Sequence, residues 1–220
     1  MSTTRLANNL YQITYPNSGN NSYILVKDKK CVIIDPSFNF DEINKVIHNE
    51  HLSPKGIIIT HGHFDHFSDG FELMKKYKVN MHVFETDRDV IENHSYHNFF
   101  TRDFMLDPKT ITYFNDSELA IDSFKFKITN LHGHTVGSII IDYENYLFVG
   151  DIIFADGIGR YDLFSGSYRD LVDSVKYIIK NYCNDKVILT GHGEITAIGE
   201  LKKENDYVKL FLKDNLNCRK

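Results

Sequence analysis

The stretch GIIITHGHFDH, residues 56–66, places three histidines and an aspartate directly after a continuous apolar run. Such a run is typical of a strand that is buried on both faces. We therefore expect the polar end of the stretch to lie in a loop where that strand ends. Alternate residues of extended backbone share a face, so His61 and His63 should point to the same side, with Gly62 allowing a tight turn. Two imidazoles on one side supply half of a zinc site.

Asp65 and His66 complete this cluster, but adjacent residues point in different directions. We expect them to begin a second metal site beside the first. The alternative for the whole cluster is a solvated surface loop. The hypothesis of two neighbouring metals therefore requires further ligands from other parts of the chain.

Three further predicted strand ends carry such ligands. His134 follows FKFKITNL, Asp151 follows YLFVG, and His192 follows KVILT. A lone histidine between glycines is more often part of a turn. Taken together, the residues complete one site of three nitrogens and another of Asp, His and His, and the two oxygens of Asp151 can bridge two ions.

The rest of the chain alternates between strands and helices in two halves. Short runs of β-branched and aromatic residues bounded by turn residues predict strands. Apolar residues at helical spacing predict helices at 41–49, 69–76, 85–92, 167–182 and 201–213. Ser167 and Asp170 resemble a capping box. Apolar strands at the centre with helices outside indicate an α/β protein.

Length and composition restrict the class of protein. The 220 residues fit a single domain, residues 1–220, and the net charge of −5 gives no electrostatic footprint for nucleic acid. Three scattered cysteines argue against a disulfide framework. No apolar run approaches the ~18 residues of a membrane helix. We expect a cytoplasmic protein with a small-molecule substrate and without a membrane or nucleic-acid partner, and the oligomeric state stays open.

The spacing of the candidate ligands resembles that of the metallo-β-lactamase superfamily, and in particular its glyoxalase II-like (hydroxyacylglutathione hydrolase-like) subgroup. Residues 159–175 and 195–207 also resemble that subgroup, so the likeness covers nearly the whole chain. It implies a four-layer αββα sandwich with the metals at one edge of the sheets. It further implies the following ligands: His61, His63 and His134 for one metal, Asp65, His66 and His192 for the other, and Asp151 between them.

The resemblance implies a hydrolase of small acyl thioesters that uses hydroxide shared by two metal ions, with Asp65 as the catalytic residue that orients the attacking water. Two Zn²⁺ ions are expected, with iron or manganese as alternatives. The chain departs from the subgroup at His132, Tyr161 and residues 164–165, which changes the shape of the pocket and not the ligands. Only 28 residues follow His192. The helical domain of full glyoxalase II would not fit there. We therefore do not expect this chain to be specific for glutathione thioesters.

Other activities on the same fold remain open. A lactonase would use the same ligands, and a persulfide dioxygenase would use fewer of them with one iron. A β-lactamase is disfavoured, because its main group has Cys in place of Asp151. A nuclease is disfavoured because no basic surface is visible. A non-enzymatic metal-binding module is disfavoured because structural zinc sites are closed and four-coordinate.

Several other residues have two interpretations. Asp35, at the end of VIID, either hydrogen-bonds a ligand histidine or caps a turn. We predict that Arg160 and Asp162 form a structural ion pair and that His132 lies at the surface or in the core. His94 and His97 are not expected to bind metal. The aromatic segment 93–109 is either a lid, a pocket wall or part of the core.

Overall fold

Two β-sheets pack face to face in the computed structural model, which describes residues 2–94 and 110–217. The strands are β1 Ser2–Ala7, β2 Leu10–Thr14, β3 Asn21–Lys27, β4 Lys30–Ile34, β5 Ser53–Ile58, β6 Met81–Phe84, β7 Thr112–Phe114, β8 Glu118–Ile121, β9 Phe124–Asn130, β10 Ile139–Tyr143, β11 Tyr146–Gly150, β12 Val187–Thr190 and β13 Thr196–Ala197. The helices are α1 Phe40–Asn49, α2 Gly70–Tyr77, α3 Tyr168–Asn181, α4 Ile198–Glu204 and α5 Asp206–Asn217. None of these helices is both long and apolar enough to span a bilayer.

Each sheet combines antiparallel hairpins with parallel pairs. The first sheet has the order β1-β2-β3-β4-β5-β6-β7, in which β4 to β7 run parallel to one another. The second has the order β13-β12-β11-β10-β9-β8, in which β11 and β12 are parallel. Because parallel neighbours end at the same edge of a sheet, the loops that follow β4 and β5 lie together, as do those that follow β11 and β12.

Three apolar clusters hold the layers together. Phe148 on β11 and Phe126 on β9 meet residues such as Leu25 of the first sheet in the cluster between the sheets. A second cluster packs α1 and α2 on the outer face of the first sheet, and a third packs α3, α4 and α5 on the outer face of the second. This arrangement is the four-layer αββα sandwich that the resemblance implied.

The predicted helices at 41–49, 69–76 and 167–182 are present as α1, α2 and α3. In α1 the apolar residues at helical spacing, Ile43, Val46 and Ile47, are buried. At the start of α3 the Ser167 side chain accepts a hydrogen bond from the Asp170 amide at 3.3 Å, as the capping box predicted.

The predicted helix at 201–213 is wrong in that two helices, α4 and α5, replace it. Asn205 separates them and has extended backbone, with ψ of 116°. Its side-chain amide donates to the carbonyls of Phe154 and Gly157 at 3.0 Å, and its oxygen accepts from the Val208 amide at 3.0 Å. Asn205 therefore both ties this corner to the loop after β11 and caps α5.

The segment predicted as a helix at 85–92 is helical throughout, but it is not a regular α-helix. The structure has a 3₁₀ turn at Glu85–Asp87 and a π-helical turn at Val90–His94. Strands β1, β8 and β13 were not predicted. Most of β1 is exposed and polar, so it lacks the apolar alternation on which the strand predictions depended.

Candidate metal centre

Seven side chains from the four segments that follow β5, β9, β11 and β12 meet at one edge of the sandwich. Their possible ligand atoms form overlapping groups in which all atoms lie within 4.8 Å of one another. The groups are His61, His63 and His134; His61, His66 and Asp151; and Asp65, His66 and His192. We call the first the three-histidine group and the last the Asp–His–His group. All seven residues predicted from the sequence are thus brought together.

Backbone contacts between the two sheets hold this edge in register. The Ile139 amide of β10 donates to the Thr60 carbonyl at 2.9 Å, and the Asn21 amide of β3 donates to the Gly191 carbonyl at 2.8 Å. Asn20 and His192 form an isolated antiparallel bridge. The loops that carry the histidines therefore come from different sheets but share one rigid framework.

The three-histidine group places nitrogen lone pairs against one another. The His134 Nδ1–H donates to the Arg160 carbonyl at 2.7 Å, so its Nε2 carries a lone pair in the neutral ring. The His61 Nδ1 contacts the Thr60 hydroxyl at 3.2 Å. That hydroxyl donates to the Asp35 carboxylate at 2.6 Å and so accepts from His61, whose Nε2 also carries a lone pair.

The Nε2 atoms of His61 and His134 are 3.1 Å apart, and the His63 Nδ1 lies 2.9 Å from the His134 Nε2. Two nitrogens bound to one tetrahedral zinc at about 2.0–2.1 Å lie roughly 3.3 Å apart. Lone pairs at this separation repel unless a cation or a proton lies between them. The donor set and its spacing therefore fit a metal ion.

The Asp–His–His group and Asp151 also leave buried polar atoms without hydrogen bonds. The His66 Nε2 lies 3.4 Å from the Asp151 Oδ1, and neither atom has a hydrogen-bond partner within the described parts of the chain. The His192 Nε2 lies 3.4 Å from the Asp151 Oδ2 and 3.5 Å from the Asp65 Oδ2. Buried polar atoms without partners are rare, and here they face a common space, which fits a second cation.

Fixed acceptors orient the outer nitrogens of the other histidines. The His66 Nδ1 donates to the Asp35 Oδ2 at 3.0 Å, and the His192 Nδ1 donates to the Ser18 carbonyl at 3.0 Å. Both contacts turn Nε2 toward the centre. The interpretation of Asp35 as a partner of a candidate ligand histidine is thereby confirmed, since it accepts directly from His66 and, through Thr60, orients His61.

Burial and charge act differently on the two groups. Burial lowers the pKa of all three histidines of the three-histidine group, and it lowers that of His63 to about 3. Burial also opposes charge on His66 and His192, but neighbouring carboxylates together outweigh it: Asp151 and Asp35 for His66, and Asp151 and Asp65 for His192. The pKa of His66 is raised well above its ordinary value and that of His192 to about 10. The same attraction lowers the pKa of Asp151 despite its burial.

Glycines leave the space that the centre needs. An ideal Cβ on Gly191 would lie 2.2 Å from the Asp151 Oδ1 and 2.7 Å from the His66 Cε1. Gly62 has no left-handed backbone, so the tight turn expected there is not the reason for a glycine. A Cβ on Gly62 would instead lie 3.0–3.1 Å from Ile91 and Val90, so close packing requires the glycine.

Other residues considered in the sequence lie outside the centre. His132 is exposed, and Arg160 and Asp162 form an exposed ion pair at 3.0 Å. Tyr161 is exposed and contacts the Tyr168 ring. His97 and most of the aromatic segment 93–109 lie outside the described residues, so the predictions for them stay predictions.

The sequence reasoning missed three residues that support the centre. Asn20 donates to the Asp65 carbonyl at 2.8 Å and to its carboxylate at 3.1 Å. The Thr60 hydroxyl lies between His61 and Asp35 and donates to the Asp35 carboxylate. The Asp87 carboxylate contacts two of the loops that carry candidate ligands and accepts from the Gly62 amide in one of them. Thr60 directly precedes the histidine cluster, and this position was the one available signal. Asn20 and Asp87 have none, because their partners are distant in sequence.

Comparisons with known proteins agree with this geometry. The profile of the metallo-beta-lactamase superfamily matches residues 15–192. The hydroxyacylglutathione hydrolase GloC of Haemophilus influenzae is 31% identical over 201 residues, which are 86% of this chain and 92% of GloC.

Two solved structures show the same fold. That of the BLEG-1 B3 metallo-beta-lactamase has a TM-score of 0.79 at 28% identity and covers 90% of this chain and 99% of its own. That of TTHA1623 in a di-iron-bound form has a TM-score of 0.77 at 22% identity, with coverage of 89% and 98%. With the profile matched across most of its length, the chain belongs to the metallo-beta-lactamase superfamily of metal-dependent hydrolases.

Proposed function

We propose that this protein hydrolyses small acyl thioesters with two divalent metal ions, as a glyoxalase II-like enzyme. The three-histidine group would hold one ion and the Asp–His–His group the other, and Asp151 would serve as a ligand to both. The observation that carries this assignment is the set of lone pairs and unpartnered buried atoms that face one space. Likeness to GloC across most of both chains supports the choice of thioesters.

The metal ions would supply a water of lowered pKa as nucleophile and would polarise the substrate carbonyl. Zinc, iron and manganese all suit mixed histidine and carboxylate ligands. The di-iron form of TTHA1623 belongs to that protein, and its 22% identity supports the fold alone.

The chain itself orients and receives the proton of the attacking water through Asp65. Burial alone would raise the pKa of this carboxyl, but hydrogen bonds from His192 and Asn20 and the charge of His66 lower it below its ordinary value. Asp65 is therefore an anion at neutral pH. Asn20 holds the carboxylate by donating to it at 3.1 Å. We assign Asp65 as both a ligand and the catalytic proton acceptor.

A thioester suits this centre because a thiolate leaves without protonation. The six ionisable side chains other than Asp65 are assigned to ligand roles alone, so a substrate whose leaving group needs no separate proton donor is favoured. A second candidate is β-lactam hydrolysis, which the 28% identity to BLEG-1 favours. A lactonase and a persulfide dioxygenase are outcomes that the same assay distinguishes.

The test compares His134→Ala with His132→Ala, which removes an exposed imidazole two residues away in the same loop. We expect the wild type and His132→Ala to hold two metals per chain and to hydrolyse short acyl thioesters, and His134→Ala to lose activity and the metal of the three-histidine group. Metal analysis, thermal denaturation and a panel of thioesters, lactones and β-lactams provide the measurements.

Full metal content and activity in folded His134→Ala would overturn the ligand assignment. Turnover of lactones or β-lactams in preference to thioesters would overturn the substrate class. Oxygen consumption with a persulfide and one iron per chain would replace hydrolysis by dioxygenation.

A further inference from the structure

Asp87 is a fully buried carboxylate that the proposed mechanism does not use. It ends the 3₁₀ turn after β6 and has 0% exposure. Its Oδ2 accepts from the Gly62 amide at 2.6 Å and from the Thr135 hydroxyl at 2.7 Å, and its Oδ1 accepts from the Gly137 amide at 2.7 Å. A buried anion with three donors aimed at it is a built arrangement, since such a charge is costly without them.

The donors belong to the two loops that carry the three-histidine group. Gly62 lies between His61 and His63, and Thr135 directly follows His134. The two loops come from different sheets and are about seventy residues apart in sequence. One carboxylate thus ties together the backbone on both sides of the three imidazoles.

The packing around Asp87 leaves little freedom for these loops to slide. An ideal Cβ on Gly137 would lie 2.5 Å from the Asp87 Cγ, so the Gly137 backbone rests directly against the carboxylate. The Ser138 hydroxyl contacts the Thr135 hydroxyl at 2.8 Å and so fixes the direction in which Thr135 donates. One carboxylate group therefore fixes the position of the two loops relative to each other.

The Asp–His–His group has different supports. His66 is held by Asp35, His192 by the Ser18 carbonyl, and Asp65 by Asn20. None of these three contacts passes through Asp87. A change at Asp87 should therefore affect one half of the centre more than the other.

We propose that Asp87 is a positioning residue that sets the spacing of the three-histidine group, and hence the affinity of that half of the centre for metal. The proposal rests on the ligand assignment made above. Asp87 acts through the Gly62 and Gly137 amides and the Thr135 hydroxyl, which place the imidazoles before any metal binds. Partners of metal ligands typically change metal affinity about 10- to 100-fold when removed.

The test compares Asp87→Asn with Asp89→Asn, the same change at an exposed aspartate two residues on. An asparagine amide offers one acceptor and turns an NH₂ group toward donors, so at least one loop loses its bond. In competition with a chromophoric zinc chelator, we expect Asp87→Asn to bind one of its two metals about 10- to 100-fold more weakly and the other as in wild type. Asp89→Asn should match the wild type.

Hydrogen exchange on metal-free protein gives a readout that is independent of activity. We expect the Gly62 and Gly137 amides to exchange at least about tenfold faster in Asp87→Asn, with the central strands unchanged. Thr135→Val removes one of the three bonds and keeps the carboxylate. It should lower the affinity for the same metal by a smaller factor than Asp87→Asn does. If Asp87→Asn does not fold, Thr135→Val becomes the decisive variant.

Unchanged affinity for both metals, or equal weakening of both, overturns the role of Asp87, as does unchanged exchange at Gly62 and Gly137. Failure of the ligand assignment is distinguishable, because the wild type would then not bind two metals at all. In that case, exchange at the Gly62 and Gly137 amides would still report whether Asp87 holds the two loops.

Discussion

The contacts of Asp35 predict that Asp35→Asn damages metal binding far more than folding. Asp35 is buried, and its carboxylate accepts from the Thr60 amide at 2.8 Å, the Thr60 hydroxyl at 2.6 Å and the His66 Nδ1 at 3.0 Å. Its backbone is left-handed, with φ of 49°, a conformation that asparagine adopts more readily than most residues. Asparagine therefore keeps the size and backbone while it replaces one acceptor oxygen by an NH₂ donor.

That replacement moves the proton of the His66 ring from Nδ1 to Nε2. The asparagine oxygen still accepts from the Thr60 amide, and the Thr60 hydroxyl can rotate to accept from the NH₂ group. His66 must then accept at Nδ1, which places its proton on Nε2, 3.4 Å from the Asp151 Oδ1. In this tautomer the atom assigned to metal no longer has a lone pair.

The size of the effect follows from the hydrogen bond that is lost. A hydrogen bond to a charged group contributes about 1.5–3 kcal/mol. At about 1.4 kcal/mol per tenfold change, metal affinity at the Asp–His–His group should fall roughly 10- to 150-fold. The free energy of unfolding of the metal-free chain should fall by only about 1–2 kcal/mol, because other hydrogen bonds are exchanged rather than removed.

The matched control is Asp28→Asn, the same change at an exposed aspartate with φ of 50°. Chelator competition measures affinity, chemical denaturation measures stability, and nitrogen-15 NMR of the imidazoles reports the tautomer of His66. Wild-type metal affinity in Asp35→Asn, with the His66 proton still on Nδ1, would refute the reasoning.

Two further predictions concern the space and the charge of the centre. Gly191→Ala places a methyl group 2.2 Å from the Asp151 Oδ1. Because displacement by about 1 Å can cost 10²-fold, activity should fall by about that factor. Gly157→Ala, where no atom lies within 4 Å of the added Cβ, is the control, and equal activity in both variants would contradict the geometry. Acidification should remove metal from the Asp–His–His group first. His192, with its pKa raised to about 10, must release a proton to bind metal, so affinity there falls about tenfold per pH unit for each proton displaced. His63, with its pKa lowered to about 3, releases none, so affinity of the three-histidine group should stay constant between about pH 7 and pH 5. Metal content after dialysis at each pH measures this order, and simultaneous loss of both metals would contradict it.

Local patterns predicted central strands with helices outside and candidate ligands at strand ends, whereas the four-layer arrangement was implied by the resemblance. Apolar runs such as residues 56–60 identify strands, and polar residues directly after them identify the edge where parallel strands end. His134 and His192 each follow such a run, so their meeting with the histidine cluster could be predicted without a structure. The ligand roles themselves were implied by spacing and by resemblance.

The errors and omissions have a different physical origin. Asn205 ends α4 because its side chain finds carbonyls of a loop about fifty residues earlier, and local helix propensity gives no sign of that. The segment after β6 has a helical apolar pattern. Its π-helical turn instead packs Val90 and Ile91 against Gly62. In both places a long-range contact decides the backbone, and single-sequence patterns report only short-range preferences.

The two halves of the centre are built on different physical bases. The three-histidine group is neutral, because burial lowers the pKa of its members, and its capacity to hold a cation depends on the distances between lone pairs. The Asp–His–His group contains one carboxylate, Asp65, and adjoins another, Asp151. These negative charges are balanced by protons on His66 and His192 or by a metal ion. Geometry, enforced through Asp87, therefore governs the first half, and charge governs the second. A change that moves a loop without altering charge should therefore remove the metal of the three-histidine group. A change that alters charge without moving a loop should remove the metal of the Asp–His–His group.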